Sequence, residues 1–213
     1  TATDATDLRM ELPLLVVEPE DEEQLANLVR LANGMKFALI PRGGGSGMTG
    51  GAVPARRRAV VVGLTRLTNI GPVDLENMTV TAEAGAITQQ VIDAVTEAGA
   101  LFSVDPASKQ ASSIGGNVSE NAGGPMAFEY GTTLDNLLWW KMVTPTGELI
   151  TIERENHPRH KIMPDETAVF AVKDISGGVR NVVHLRGDEI RLPGLGKDVT
   201  NKARGGLPGM QKE

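Results

Sequence analysis

Six glycines fall within residues 43–51, in the stretch PRGGGSGMTGGAVP, with apolar runs on both sides: KFALIP (36–41) before and RAVVVGL (58–64) after. Short apolar runs bounded by turn residues read as strands. The chain must therefore pass from one strand to the next through a loop with almost no side-chain bulk. Gly45, Gly47 and Gly50 meet the spacing G-x-G-x-x-G. In a Rossmann turn that spacing opens a helix whose N-terminus holds a pyrophosphate. Here Gly50-Gly51, Pro54 and Arg56-Arg57-Arg58 follow, then a strand, so the Rossmann reading fails on its context. A Walker loop requires a Lys-Ser/Thr pair after the glycines, and none follows. What remains is a strand–loop–strand in which Gly43, Gly44 and Gly45 let successive backbone N–H groups converge on an anion, with the hydroxyls of Ser46 and Thr49 nearby. The competing reading is a flexible tether that binds nothing, but tethers seldom join two apolar strands.

The surrounding pattern sets the fold class. LPLLVVEP (12–19) reads as a strand, EDEEQLANLVRLANG as a helix stopped by Asn33-Gly34, and 36–41 as the next strand, which makes 14–41 a β-α-β unit. After the glycine loop, 58–64 and MTVTAEAG (78–85) read as strands, and 86–100 as an amphipathic helix with Ile87, Val91, Ile92 and Val95 on one face. LLWWKMVTPTGELITIE (137–153) reads as a hairpin. Residues 1–11 form a polar leader, 12–153 one α+β domain, 154–196 a charged insertion or appendage, and 197–213 the start of a segment cut short. With 3% aromatic residues, the core is expected to be aliphatic. A net charge of −6 argues against a nucleic-acid surface. No apolar run approaches a membrane span. The cysteine-free sequence rules out thiolate metal sites within it and fits a cytoplasmic setting.

A second glycine-rich strip lies in the long turn-rich segment 102–136. SSIGGNVSENAGG (112–124) places Ser113 ahead of a short helix, Gly115 and Gly116 in its first turn, Asn117 and Asn121 four residues apart, and Gly123-Gly124 at its end. Two strips with paired glycines and hydroxyl or amide groups fit one extended ligand gripped from two sides. His157 and His160, with Glu155, do not form a helical metal pair, because Pro158 stands between them. The run 56–58 reads as an exposed turn. Trp139 and Trp140 read as packing residues, one in the core and one at an interface. Lys109 is close enough in sequence to reach a phosphate.

PRGGGSGMTGGAVP, DPASKQASSIGGNVSENAGG and YGTTLDNLL together resemble the FAD-binding domain of the FAD-linked oxidases. These form the vanillyl-alcohol oxidase superfamily, and the resemblance is to its branch of D-lactate dehydrogenases and glycolate oxidase FAD subunits. It covers roughly residues 12–153. It implies two small α+β subdomains with FAD between them, and a pyrophosphate held by backbone N–H groups of Gly43, Gly44, Gly45, Ser46 and Gly47, with Arg42 also at the cofactor; added Cβ atoms at 43–47 would intrude on the ligand or forbid the required backbone angles. It also implies a second contact strip made of Asp105, Pro106, Ser108, Ser113, Ile114, Gly115, Gly116, Asn117, Asn121, Gly123 and Gly124. No histidine or cysteine stands in the glycine loop, so non-covalent FAD is expected. The implied activity is hydride transfer from a D-2-hydroxy acid, such as lactate or glycolate, to FAD. The small-molecule substrate would be held by a cap domain beyond this chain, and an electron-transfer partner would be possible. Two alternatives stay open: a non-catalytic redox module of a larger complex, and an NADPH-using enolpyruvyl-sugar reductase.

Overall fold

The computed structural model describes residues 11–55 and 58–190. The expectations for Arg56 and Arg57, for nearly all of the leader and for the segment 197–213 lie outside the described residues.

The first sheet is parallel and three-stranded. Strands β1 (Leu15–Val17), β2 (Ala38–Arg42) and β3 (Ala59–Gly63) lie in the order β1-β3-β2. β3 is central and buried along its whole length, as its unbroken run of small and β-branched residues requires of a strand flanked on both sides. Between β1 and β2 runs α1 (Glu22–Met35), capped by Asp21, whose Oδ1 accepts from Gln24 N at 2.7 Å, with Glu22 and Glu23 in its first turn. The helix does not stop at Asn33-Gly34. It continues to Met35 and ends on Lys36 in the left-handed conformation, φ 58°. Asn33 instead sends Nδ2 to Pro145 O at 2.7 Å, in the turn of the later hairpin.

Residues 78–85 do not form a regular strand. They pair with 69–74 only through isolated bridges, Ile70 with Ala82 and Asp74 with Thr79. The turn between them is closed by Asp74 Oδ1, which accepts from Glu76 N and Asn77 N, both at 3.0 Å. Onto this irregular ribbon packs α2 (Thr88–Glu97), whose Val91 and Val95 join Ala86, Val80 and Phe102 in one apolar cluster.

The turn-rich segment holds three short helices, α3 (Ile114–Glu120), α4 (Ala127–Tyr130) and α5 (Thr133–Asn136). The expected hairpin is β4 (Trp139–Val143) with β5 (Leu149–Arg154). Beyond it, β6 (Thr167–Asp174) and β7 (Val179–Arg186) extend the same antiparallel sheet in the order β4-β5-β6-β7, followed by α6 (Gly187–Ile190). The segment after 153 is thus built onto the hairpin. Its Phe170 and Ile162 are buried against Leu134 and Ile152. Trp140 meets Phe170 edge-on at 5.8 Å between ring centroids, and Trp139 is exposed. This second core is therefore not purely aliphatic.

Candidate functional site: a cleft between two sheets

A cleft of about 1730 Å³ is bounded by the glycine loop, the 69–84 ribbon, α3 and the apolar face of the antiparallel sheet. Arg42, Gly43, Gly44, Gly45, Ser46, Gly47, Ser108, Ser113, Ile114, Gly115, Gly116 and Asn117 all line it. Asp105, Pro106, Asn121, Gly123 and Gly124 do not appear among its lining residues. The two strips anticipated from sequence do come together, and they do so by direct contact with each other. A Cβ placed on Gly43 would collide with Ser113 Oγ, and one on Gly44 with the carbonyl of Ala111. At Gly45 the backbone is left-handed, φ 69°, and the guanidinium of Arg42 fills the space beside it. Arg42 Nη1 also donates to Ala52 O at 3.1 Å, bracing the loop across its base. At Gly47 a Cβ would enter open space. The protein itself thus calls for glycine at 43–45, by close packing at Gly43 and Gly44 and by the left-handed backbone at Gly45.

Among the described residues, no backbone N–H from Gly43 to Gly47 donates a hydrogen bond. The second strip differs. Ile114 N donates to Ala86 O at 2.9 Å, Gly115 N to Ala84 O at 2.8 Å and Gly116 N to Ser113 Oγ at 3.2 Å. Asn117 Nδ2 donates to Thr88 Oγ1 at 2.8 Å, and Asn121 Oδ1 accepts from Leu134 N at 2.9 Å. Asn121 caps α3 in the left-handed conformation, φ 53°. Asp105 Oδ1 accepts from Met126 N at 3.2 Å, and Gly124 lies against Asp105 where no Cβ fits. Pro106 O accepts from Lys109 N at 2.9 Å, and Gly123 sits near Ala127. The second strip therefore spends most of its polar groups on the rest of the protein, and the first has amides to offer. A loop of unbonded amides suits an anion, and a phosphate-bearing cofactor fits this donor set.

Glu120, Thr88 and Ser112 are not among the residues expected at the site from sequence. Thr49 Oγ1 donates to Glu120 Oε2 at 3.3 Å, tying the outer part of the glycine loop to the end of α3. Thr88 and Ser112 are buried beneath the second strip, where their hydroxyls lie 2.8 Å apart. A lone threonine in an amphipathic helix carries no signal that would have marked it.

The YGTTLDN stretch is a capped turn. Asp135 is buried, and its Oδ2 accepts from Thr132 N at 2.7 Å while its Oδ1 accepts from Ile162 N at 2.8 Å. Its carbonyl accepts from Arg154 Nη1 at 3.0 Å and from His157 Nε2 at 2.7 Å. Burial, and then the nearby Arg154 charge, hold His157 below its ordinary value of 6.5. His160 pairs with Glu166 at 2.7 Å. Among the described residues, no group of three or more His, Cys, Asp or Glu side chains is placed to hold a metal ion.

Residues 13–153 match the FAD binding domain family, and the chain belongs to it. It is 31% identical over 147 residues to glycolate oxidase subunit GlcD of Bacillus subtilis, covering 69% of this chain and 31% of that protein. It is 36% identical over 140 residues to D-2-hydroxyglutarate dehydrogenase of Xanthomonas citri pv. viticola, covering 66% and 29%. The chain thus spans about 30% of the length of these relatives. Among solved structures, alkyldihydroxyacetonephosphate synthase matches with a TM-score of 0.58 at 29% identity, covering 65% of this chain and 26% of that one. Xylooligosaccharide oxidase from Myceliophthora thermophila matches with a TM-score of 0.61 at 22% identity, covering 70% and 31%, a likeness of fold alone. The α+β two-subdomain fold of the vanillyl-alcohol oxidase type is the fold of this chain. Among the described residues, no helix is long and apolar enough to cross a membrane.

Proposed function

We propose that this chain is the FAD-binding portion of a flavin-dependent oxidoreductase that oxidises a D-2-hydroxy acid, and that FAD is held without a covalent bond. The observation that carries the reading is the run of unbonded amides from Gly43 to Gly47, set at the mouth of a cleft and resting on the strip 111–117. These amides would hold the diphosphate, and Ser108 and residues 113–116 would lie along the rest of the cofactor. Relatives named for glycolate and D-2-hydroxyglutarate support the substrate class. FAD, when bound, supplies the hydride-accepting chemistry. This chain's residues bind and orient it, and substrate-holding groups would come from parts of the protein outside residues 1–213. Non-covalent attachment is supported by the side chains present. The chain has no cysteine, and its three histidines, His157, His160 and His184, all stand outside the glycine loop. A cytoplasmic setting fits the cysteine-free sequence.

The test uses the full-length protein. Acid precipitation is expected to leave flavin in the supernatant. Anaerobic addition of D-lactate, glycolate or D-2-hydroxyglutarate is expected to bleach the flavin band by reducing FAD, and an artificial electron acceptor added afterwards is expected to restore it by taking the electrons. Flavin retained on the denatured protein would refute non-covalent binding, and protein that takes up no FAD would refute the reading as a whole.

A further inference from the structure

Thr88 opens α2 with no solvent exposure. Its hydroxyl meets three groups: it donates to Ser112 O at 3.0 Å, accepts from Asn117 Nδ2 at 2.8 Å, and lies 2.8 Å from Ser112 Oγ. A hydroxyl has one proton and two lone pairs. With its proton on Ser112 O, Thr88 Oγ1 accepts from both Asn117 and Ser112, and its capacity is filled. It has nothing left for a ligand, so any effect it has on one must pass through its neighbours.

Those neighbours form the platform under the glycine loop. Ser112 stands between Ala111, whose carbonyl underlies Gly44, and Ser113, whose Oγ underlies Gly43. The first turn of α2 has no capping side chain of its own. The turn 109–112 takes that role, accepting from Thr88 N at Ser112 O (2.9 Å) and from Gln89 N at Lys109 O (3.0 Å). Helix and platform therefore fix each other, and a fully matched buried network of this kind holds its members in one arrangement.

We propose that Thr88 is a positioning residue for the cofactor. Through Ser112 and Asn117 it sets the height and tilt of residues 111–113, and through them the placement of the amides at 43–47. The inference rests on the reading that those amides hold FAD.

The experiment measures FAD affinity and thermal midpoint in the full-length protein for Thr88→Val, Thr88→Ser and Ile162→Val. Ile162 is fully buried in the second core and does not line the cleft, so its truncation is the control for a general loss of stability. Thr88→Val keeps the shape and removes the hydroxyl, and it should weaken FAD by about tenfold, equivalent to about 1.4 kcal/mol. Thr88→Ser should stay near wild type, and Ile162→Val should melt earlier with FAD affinity unchanged. If Thr88→Val does not fold, Ser112→Ala removes a partner of the same hydroxyl and should weaken FAD severalfold. Wild-type affinity in a folded Thr88→Val protein, or in Ser112→Ala where that substitution stands in for it, overturns the inference while leaving the cofactor reading intact. Equal weakening by Ile162→Val overturns it as well, by reducing the effect to general stability. Wild-type protein that binds no FAD overturns the cofactor reading and this inference with it.

Discussion

The carbonyl oxygen of Ala111 occupies the space that a Cβ on Gly44 would need. Because the obstacle is backbone, Gly44→Ala has no rotamer by which to escape it. The substitution should part the glycine loop from the 111–113 strip, lower the melting temperature and reduce FAD affinity. Gly47→Ala is the control. Its Cβ would meet nothing within 4 Å, and stability should stay within about 0.5 kcal/mol of wild type. Thermal unfolding and flavin titration of both variants check the pair, and equal stability of the two would contradict the packing argument.

Asn121 makes a structural contact that is separable from any ligand contact. It holds a left-handed backbone, φ 53°, and its Oδ1 accepts from Leu134 N at 2.9 Å. Asn121→Ala loses the bond and incurs left-handed strain, for about 2–4 kcal/mol in all. Asn121→Gly loses the bond alone and should be less destabilised, by about 1 kcal/mol. Denaturant titrations of the two variants give the difference directly.

Asp135 ties α5 to the segment that follows β5. Replacing it with Ala leaves Thr132 N and Ile162 N without their acceptor in a buried place. The expected cost is about 3 kcal/mol or more, read as a shift in the urea midpoint. A shift within error would mean that water enters this site in place of the carboxylate.

His157 carries a pH dependence of defined sign. Its folded pKa lies below the ordinary 6.5, so the unfolded chain takes up the proton first. Stability is then full above about pH 6.5 and falls as pH drops toward the folded value. Its two hydrogen bonds agree with a neutral ring: Nε2 faces Asp135 O, and Nδ1 accepts from Arg159 N at 2.9 Å. His157→Gln should flatten the stability profile just below about pH 6.5, above the acid range in which Glu166, Asp74 and Asp174, all held below their ordinary values, begin to titrate. An unchanged slope in that variant would assign the dependence to another group.

The parallel sheet and its glycine loop were legible because β2 and β3 are apolar runs with unmistakable borders. The ribbon at 69–83 was not. The alternation in 78–85 looks like a strand, but its partner contains Gly71 and Pro72, and the pairing breaks into single bridges. The end of α1 was misplaced because Asn33 looks like a stop signal locally, and only the fold brings Pro145 to its side chain. At the site, residue types were readable and their partners were not. Asn117 and Asn121 are chemically suited to a ligand, and each instead bonds to a group in another part of the chain, Thr88 and Leu134. The charged stretch after 153 hid two strands because β7 is solvent-exposed along nearly all of its length, which leaves little apolar periodicity to find.

The antiparallel sheet continues past residue 153, and this changes which strand must be defended against self-association. With β6 in place, β5 is an interior strand, and among the described residues the outer position on that side falls to β7, opposite β4 at the other edge. An outer strand with unpaired backbone groups invites a second chain to add to it, and charged side chains discourage this. Val182 and Val183 on β7 are 40% and 38% exposed. Beside them Arg180 bridges to Glu148 and Asp174, and Arg186 to Asp188. The guard against unwanted strand addition at this edge therefore rests mainly on residues 179–188, beyond the span 13–153 that matches the family. Neutralising Arg180 and Arg186 should first appear as a loss of solubility.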